Sequence, residues 1–249
     1  MWNDLSLPIV IAHRGDKTHA PENTLAAFKL AAENGVDAIE FDLKLTADGR
    51  VVVLHDQTVN RTTNGTGSIY QLSFAEVRDL DAGAWFSEKF RAERIPTLDE
   101  VFETVDKRLY INVELANYAT PGDGLVPKVI DLVKKHGIKN QLLFSSFYAR
   151  NLQIARLLMP EVPRGLLCKR GIRGSWGRTF TWRGDYFALH PHRDDVDPRL
   201  VFRVQAAGKR VHVWTVNQEE DLKSMIDLGV DAIITDDPEL ALRLLGRSN

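Results

Sequence analysis

Short apolar, β-branched runs alternate with longer amphipathic stretches along most of the 249-residue chain. The runs are Pro8–Ala12, Ala38–Leu43, Leu109–Glu114, Gln141–Ser145, Arg164–Cys168, Asp185–Leu189, Arg210–Trp214 and Ala232–Thr235. Most are continuously apolar rather than alternating, as strands of a parallel sheet covered on both faces are. Between them, Thr24–Asn34 sets Leu25, Phe28, Leu30 and Ala32 at near-helical spacing and stops at Asn34-Gly35. Leu125–His136 stops at Gly137, Arg199–Ala207 at Gly208 and Leu222–Leu228 at Gly229, and Pro238 opens a last helix through Leu245. Eight strands alternating with helices predict an α/β fold, a (β/α)8 barrel. A doubly wound open sheet is the competing architecture, because the number of strands does not prove closure.

One run breaks the alternation. Arg50–Asp56 follows the second strand after only Thr46-Ala47-Asp48-Gly49. Asp-Gly between two β-rich runs predicts a hairpin, so this run is its second arm and not a barrel strand. A turn centred on Asp48-Gly49 sets His55 across from Asp42. The segment from Gln57 to about Ile95, which holds Thr62-Thr63-Asn64-Gly65-Thr66-Gly67 and Trp85-Phe86, is too long for a barrel connection. It predicts a small cap inserted after the hairpin, within a single domain spanning residues 1–249.

Composition narrows the function classes. Thirty-two Lys and Arg against 34 Asp and Glu give a net charge of −2, without the basic excess that nucleic-acid binding uses to displace counterions. The one cysteine, Cys168, excludes an intramolecular disulfide framework and a Cys-rich zinc site, and its setting in Gly165-Leu166-Leu167-Cys168 reads as a buried structural thiol. No apolar run approaches the roughly 20 residues that span a bilayer. The N-terminal apolar stretch, Leu5 to Ala12, is interrupted by Ser6 and Pro8 and runs into His13-Arg14, unlike a signal peptide. The expectation is a cytoplasmic protein with no stable membrane insertion.

Polar residues at strand C-termini face the site of a parallel α/β fold. His13-Arg14-Gly15 ends the first strand, offering an acid or base and a planar phosphate donor, or else a surface pair. Asn23 or Thr24 is placed to cap the first helix. Glu40 and Asp42, two apart on a strand, point to one face, where two carboxylates among Ile39, Phe41 and Leu43 must be solvated, paired or bound to a hard cation. Glu114, at the end of the third strand, completes a cluster of three. Trp214 reads equally as the wall of a substrate pocket or as barrel core. Asp236 and Asp237 read as caps of the last helix, His190-Pro191-His192 as a loop or pocket rim, and His19 and His136 as surface residues.

Together these pieces resemble the glycerophosphodiester phosphodiesterase family, whose signature is H-R, E-x-D and H. Here it stands as His13-Arg14, Glu40-x-Asp42 and His55. Around it are Gly15, Pro21-Glu22-Asn23-Thr24, Asn112-x-Glu114, Trp214-Thr215-Val216-Asn217 and Ile233-Ile234-Thr235-Asp236, in order over nearly the whole chain. The resemblance implies a TIM barrel with a small insertion and one divalent cation, Mg²⁺ or Ca²⁺, on Glu40, Asp42 and Glu114. It also implies His13 and His55 as the acid/base pair, Arg14 as a phosphate contact, and a small-molecule glycerophosphodiester split into glycerol 3-phosphate and an alcohol. Members often carry a lysine two residues after the third glutamate. Here that position is Ala116, and Asn117, Lys44 and Lys169 are the candidates for a replacement charge. A lysophospholipase D-type reaction on the same site requires an apolar groove, for which Trp85, Phe86, Phe147, Trp176 and Trp182 are available. A non-catalytic barrel that binds a phosphodiester, and an unrelated barrel isomerase or aldolase, are the readings from other classes.

Overall fold

A computed structural model of the chain describes residues 2–105, 109–180 and 184–247. The strands are β1 (Ile9–His13), β2 (Ala38–Leu45), β3 (Val51–Val53), β4 (Tyr110–Leu115), β5 (Leu142–Ser146), β6 (Arg164–Leu167), β7 (Ala188–His190), β8 (Arg210–Val213) and β9 (Ala232–Thr235). Eight of them are parallel neighbours in a ring, which closes because β1 pairs with both β2 and β9. β3 lies outside the ring and pairs antiparallel with β2. Closure settles the architecture as a (β/α)8 barrel and rules out the open sheet.

The helices are α1 (Leu25–Glu33), α2 (Phe74–Asp79), α3 (Leu98–Thr104), α4 (Leu125–His136), α5 (Ala149–Leu158), α6 (Ser175–Phe180), α7 (Pro198–Ala206), α8 (Glu219–Asp227) and α9 (Pro238–Leu244). Local chemistry starts them: the Thr24 hydroxyl accepts from the Ala27 amide, and Ser73 with Glu76 and Thr97 with Glu100 form reciprocal capping boxes. α5 is not foreseen in the sequence. It has no glycine stop, and its buried face is only Asn151, Leu152 and Ala155.

Strand alternation separates two layers. Ile39, Phe41 and Leu43 face the helices, where Phe41 meets Phe28 of α1 with ring centroids 5.4 Å apart. The opposite face lines the barrel. Its lower level is apolar, with Ile9, Ile11, Ala38, Leu143, Ala232 and Ile234 packed around Trp2, which plugs the N-terminal end. Toward the C-terminal ends the same face turns polar. Parallel register sets His13 beside Glu40, Glu40 beside Asn112, Asp42 beside Glu114, and Glu114 beside Ser145.

The hairpin register differs from the expected one. Leu43 pairs with Val53, and the Asp42 carbonyl accepts from the Leu54 amide at 3.0 Å, so Asp42 faces Leu54 rather than His55. The cause is the turn. Thr46 and Arg50 close a three-residue loop, Ala47-Asp48-Gly49, with Gly49 at φ +79°, which shifts the pairing by one residue relative to a two-residue turn. β3 and the chain beyond it build a small core of their own from Val52, Leu54, Val59, Ile69, Val77, Ala82 and Ile95.

The histidine readings also change. His190 is no rim residue: it ends β7 fully buried, its ring centroid 4.8 Å from that of the equally buried His212. Burial pushes the His190 imidazole down to about 3 and His212 well below its usual value, so both are neutral. Gly165 on the adjacent strand makes the room, since a Cβ there would stand 2.2 Å from His190 Nε2. His136 is largely covered, bonded to Asp99 at 2.8 Å and packed edge-on against Phe102. Cys168 is buried, and that burial pushes its thiol up to about 12.

Candidate active site

The site begins in a strained turn. Arg14 at φ 60° and Gly15 at φ 82° carry the chain out of β1 in successive left-handed conformations, and Asn23 at φ 58° brings it back toward α1. Such conformations cost a non-glycine residue on the order of 1–3 kcal/mol and persist where surrounding contacts fix them. Here the Asn23 amide bonds the Arg14 carbonyl at 2.9 Å, and a Cβ on Gly15 would stand 2.7–2.9 Å from Ala27. The turn points the Arg14 guanidinium at Glu22 (2.8 Å) and Asp42 (3.4 Å). Asn23 Nδ2 also reaches Asp42, at 3.3 Å.

Glu40, Asp42 and Glu114 converge: one carboxylate oxygen from each lies within 4.8 Å of the others. Burial, with repulsion from Asp42, raises the proton affinity of Glu40 and pushes Glu114 up to about 8. Burial works the same way on Asp42, yet Arg14 and the other cations outweigh it and hold this carboxyl below its usual range. Tyr118 donates to Glu114 at 2.8 Å. Three crowded oxygens, two of them reluctant to ionise together, fit a hard divalent cation, which removes the repulsion that protons otherwise relieve.

Both predicted histidines line the same cavity of about 130 Å³ as the carboxylates, together with Arg14 and Trp214. His13 Nδ1 meets Asp236 Oδ1 at 2.6 Å, and Nε2 lies 3.9 Å from Glu40. Despite burial, His13 and Lys17 hold Asp236 ionised and therefore acceptor-only, so Nδ1 carries the proton and Nε2 is left bare toward the cavity. Burial lowers the His13 imidazole to about 4. His55 is more exposed and repeats the pattern, with Nδ1 against Asp56 at 2.7 Å. Arg61, from the inserted segment, bonds both Asp56 and Glu22, so a chain of ion pairs runs from Arg14 to His55.

Asp236 was expected to cap α9. Asp237 does so, accepting from the Leu240 amide at 2.9 Å, while Asp236 backs His13 and is braced by Lys17 (2.9 Å) and Asn217 (2.8 Å). Its position one residue past β9 was the signal available for it. Thr24, not Asn23, is the α1 cap. Tyr118 lies past the end of β4 and had no signal in the sequence.

Trp214 is half-buried; its indole donates to the His190 carbonyl at 2.8 Å and packs edge-on against Phe147 and His192. Phe147 and Leu167 also belong to a second, larger cavity of about 670 Å³, walled by Tyr148, Leu166, Trp176 and Tyr186. Of the aromatic residues proposed for a groove, Phe147 and Trp176 line it. Trp85 and Phe86 pack elsewhere, with Phe90 in the inserted segment, and Trp182 lies outside the described residues.

The family and the relatives that this (β/α)8 barrel matches make the chain a phosphoric diester hydrolase. Residues 13–240 match the glycerophosphoryl diester phosphodiesterase family, and the chain belongs to that family. It is 42% identical over 238 residues to a glycerophosphodiester phosphodiesterase of Caldanaerobacter subterraneus subsp. tengcongensis, covering 95% of this chain and 97% of the relative. It is 36% identical over 241 residues to one from Bacillus altitudinis, covering 94% and 97%. The solved structure of an Oleispira antarctica phosphodiesterase in complex with the product sn-glycerol-3-phosphate superposes with a TM-score of 0.87 at 36% identity, covering 96% of this chain and 97% of that one. Family membership sets aside the isomerase and aldolase readings. Among the described residues no helix is long and apolar enough to cross a membrane.

Proposed function

We propose that the chain hydrolyses glycerophosphodiesters to glycerol 3-phosphate and an alcohol, with one divalent cation, Mg²⁺ or Ca²⁺, on Glu40, Asp42 and Glu114. The observation that carries this is the shared cavity in which three converging carboxylates meet Arg14 and two carboxylate-backed histidines. The product bound to the Oleispira antarctica phosphodiesterase supports the substrate class. The cation, when bound, supplies Lewis-acid polarisation of a phosphoryl oxygen. Arg14 holds the phosphate, and Trp214 walls the pocket. His13, neutral at pH 7 with Nε2 bare, accepts the nucleophile's proton, and His55 protonates the leaving alcohol. Asp236 positions His13 by fixing its tautomer and orientation. The segment from Gln57 to about Ile95 caps this face within a single domain, its Arg61 tying His55 to the barrel through Asp56 and Glu22. A cytoplasmic setting belongs to the same proposal.

The 670 Å³ cavity favours a second reading on the same site, lysophospholipase D-type hydrolysis, because its apolar wall continues from Phe147 and Leu167. Turnover of glycerophosphoethanolamine and of lysophosphatidylcholine, measured side by side, tests both. The first reading expects glycerol 3-phosphate from the former at the higher kcat/KM; preference for the lysolipid overturns it in favour of the second.

A further inference from the structure

Lys44 is a buried ammonium on the barrel's inner face that the reaction scheme above does not use. It follows Glu40 and Asp42 at the same two-residue spacing on β2, so all three side chains share one face. The residue is only 2% exposed, and its Nζ donates to the Ala116 carbonyl at 2.9 Å. An ammonium has three donors, and this carbonyl is neutral. A cavity opens between Lys44, Asp42, Glu114, Ala116 and His55. The cavity thus sets one amine, with donors to spare beyond the Ala116 carbonyl, beside two of the three clustered carboxylates and His55.

The rival candidates are otherwise placed. Asn117 is uncharged, and its amide is taken up by Asp123 and Asn151. Lys169 stands on the wall shared with the large apolar cavity.

We propose that Lys44 is a phosphate-binding residue of this site, its ammonium, anchored on the Ala116 carbonyl, contacting a non-bridging oxygen of the substrate and product phosphate. The proposal rests on the phosphodiesterase reading, and its test is independent of turnover. Calorimetric titration with glycerol 3-phosphate in the presence of Mg²⁺ compares wild type, Lys44→Met, and Lys44→Met combined with Ala116→Lys, all checked for unchanged melting temperature. Lys44→Gln replaces Lys44→Met if the latter does not fold. The single variant is expected to bind glycerol 3-phosphate at least tenfold more weakly and to raise KM for glycerophosphoethanolamine similarly. The second substitution restores most of both, a recovery that a purely structural role for Lys44 would not give. A single variant that binds glycerol 3-phosphate as tightly as wild type overturns the proposal. So does a loss that accompanies weakened Mg²⁺ binding and is not recovered by Ala116→Lys. A wild type that binds glycerol 3-phosphate in a Lys44-dependent way but turns over no diester counts against the reaction, not against Lys44.

Discussion

Asp236→Asn isolates the positioning of His13. In the native site Asp236 Oδ1 takes the His13 Nδ1–H at 2.6 Å and Lys17 Nζ at 2.9 Å, while Oδ2 takes Asn217 Nδ2 at 2.8 Å. An asparagine offers one acceptor where two are required. Asn217 cannot turn to help, because its Oδ1 already accepts from the residue 236 amide at 3.0 Å. The new amide group therefore faces either the His13 and Lys17 donors or the Asn217 donor. The first arrangement favours the wrong imidazole tautomer, and the second weakens its brace. A hydrogen bond to an ionised partner contributes about 1.5–3 kcal/mol, so kcat is expected to fall on the order of 10²-fold. KM changes little, since Asp236 does not line the reaction cavity. Steady-state kinetics on glycerophosphoethanolamine, with circular dichroism to confirm folding, measures both. A variant within threefold of the wild-type kcat, or a loss confined to KM, refutes the reasoning.

Removing either histidine, His13→Ala or His55→Ala, is expected to cost about 10²–10⁴ in kcat, read in the same assay. The metal-free protein is expected to lose stability as pH rises from about 4.5 through about 8, because folded Glu114 keeps a proton there that the unfolded chain releases; melting temperatures against pH check this. Mg²⁺ displaces that proton, so its affinity rises over the same interval and its binding heat depends on the buffer's ionisation enthalpy. Gly15→Ala is expected to destabilise by on the order of 1–3 kcal/mol, seen in the urea midpoint, since its Cβ meets Ala27 backbone atoms at 2.8–2.9 Å in a left-handed conformation.

The barrel was legible because its strands are doubly covered, which prints continuous apolar runs such as Ile9–Ala12 and Ile233-Ile234. The carboxylates were legible because a charge at every second position of an apolar strand has few explanations. Register was less so. Whether the turn at Ala47-Asp48-Gly49 has two residues or three decides which residue faces Asp42, and both fit the same Asp-Gly signal. His190 and His212 were illegible because nothing in their local sequence says that Gly165, on another strand, leaves space for an imidazole. Asp236 and Asp237 look alike in sequence; only the closure of β9 onto β1 brings the first to His13 and leaves the second to cap α9. Lys44 is hidden likewise: its spacing places it on the inner face, but its meeting with Ala116 depends on β4 lying next to β2.

Release of glycerol 3-phosphate from glycerophosphoethanolamine, followed with Mg²⁺ or Ca²⁺, then with EDTA, then after adding the ion back, tests the central claim most directly. The account predicts release that EDTA abolishes and the restored ion recovers in wild type, with no recovery in Glu114→Gln. Release that continues undiminished in EDTA contradicts a cation held by Glu40, Asp42 and Glu114, and no release from folded, ion-loaded protein contradicts the reaction itself.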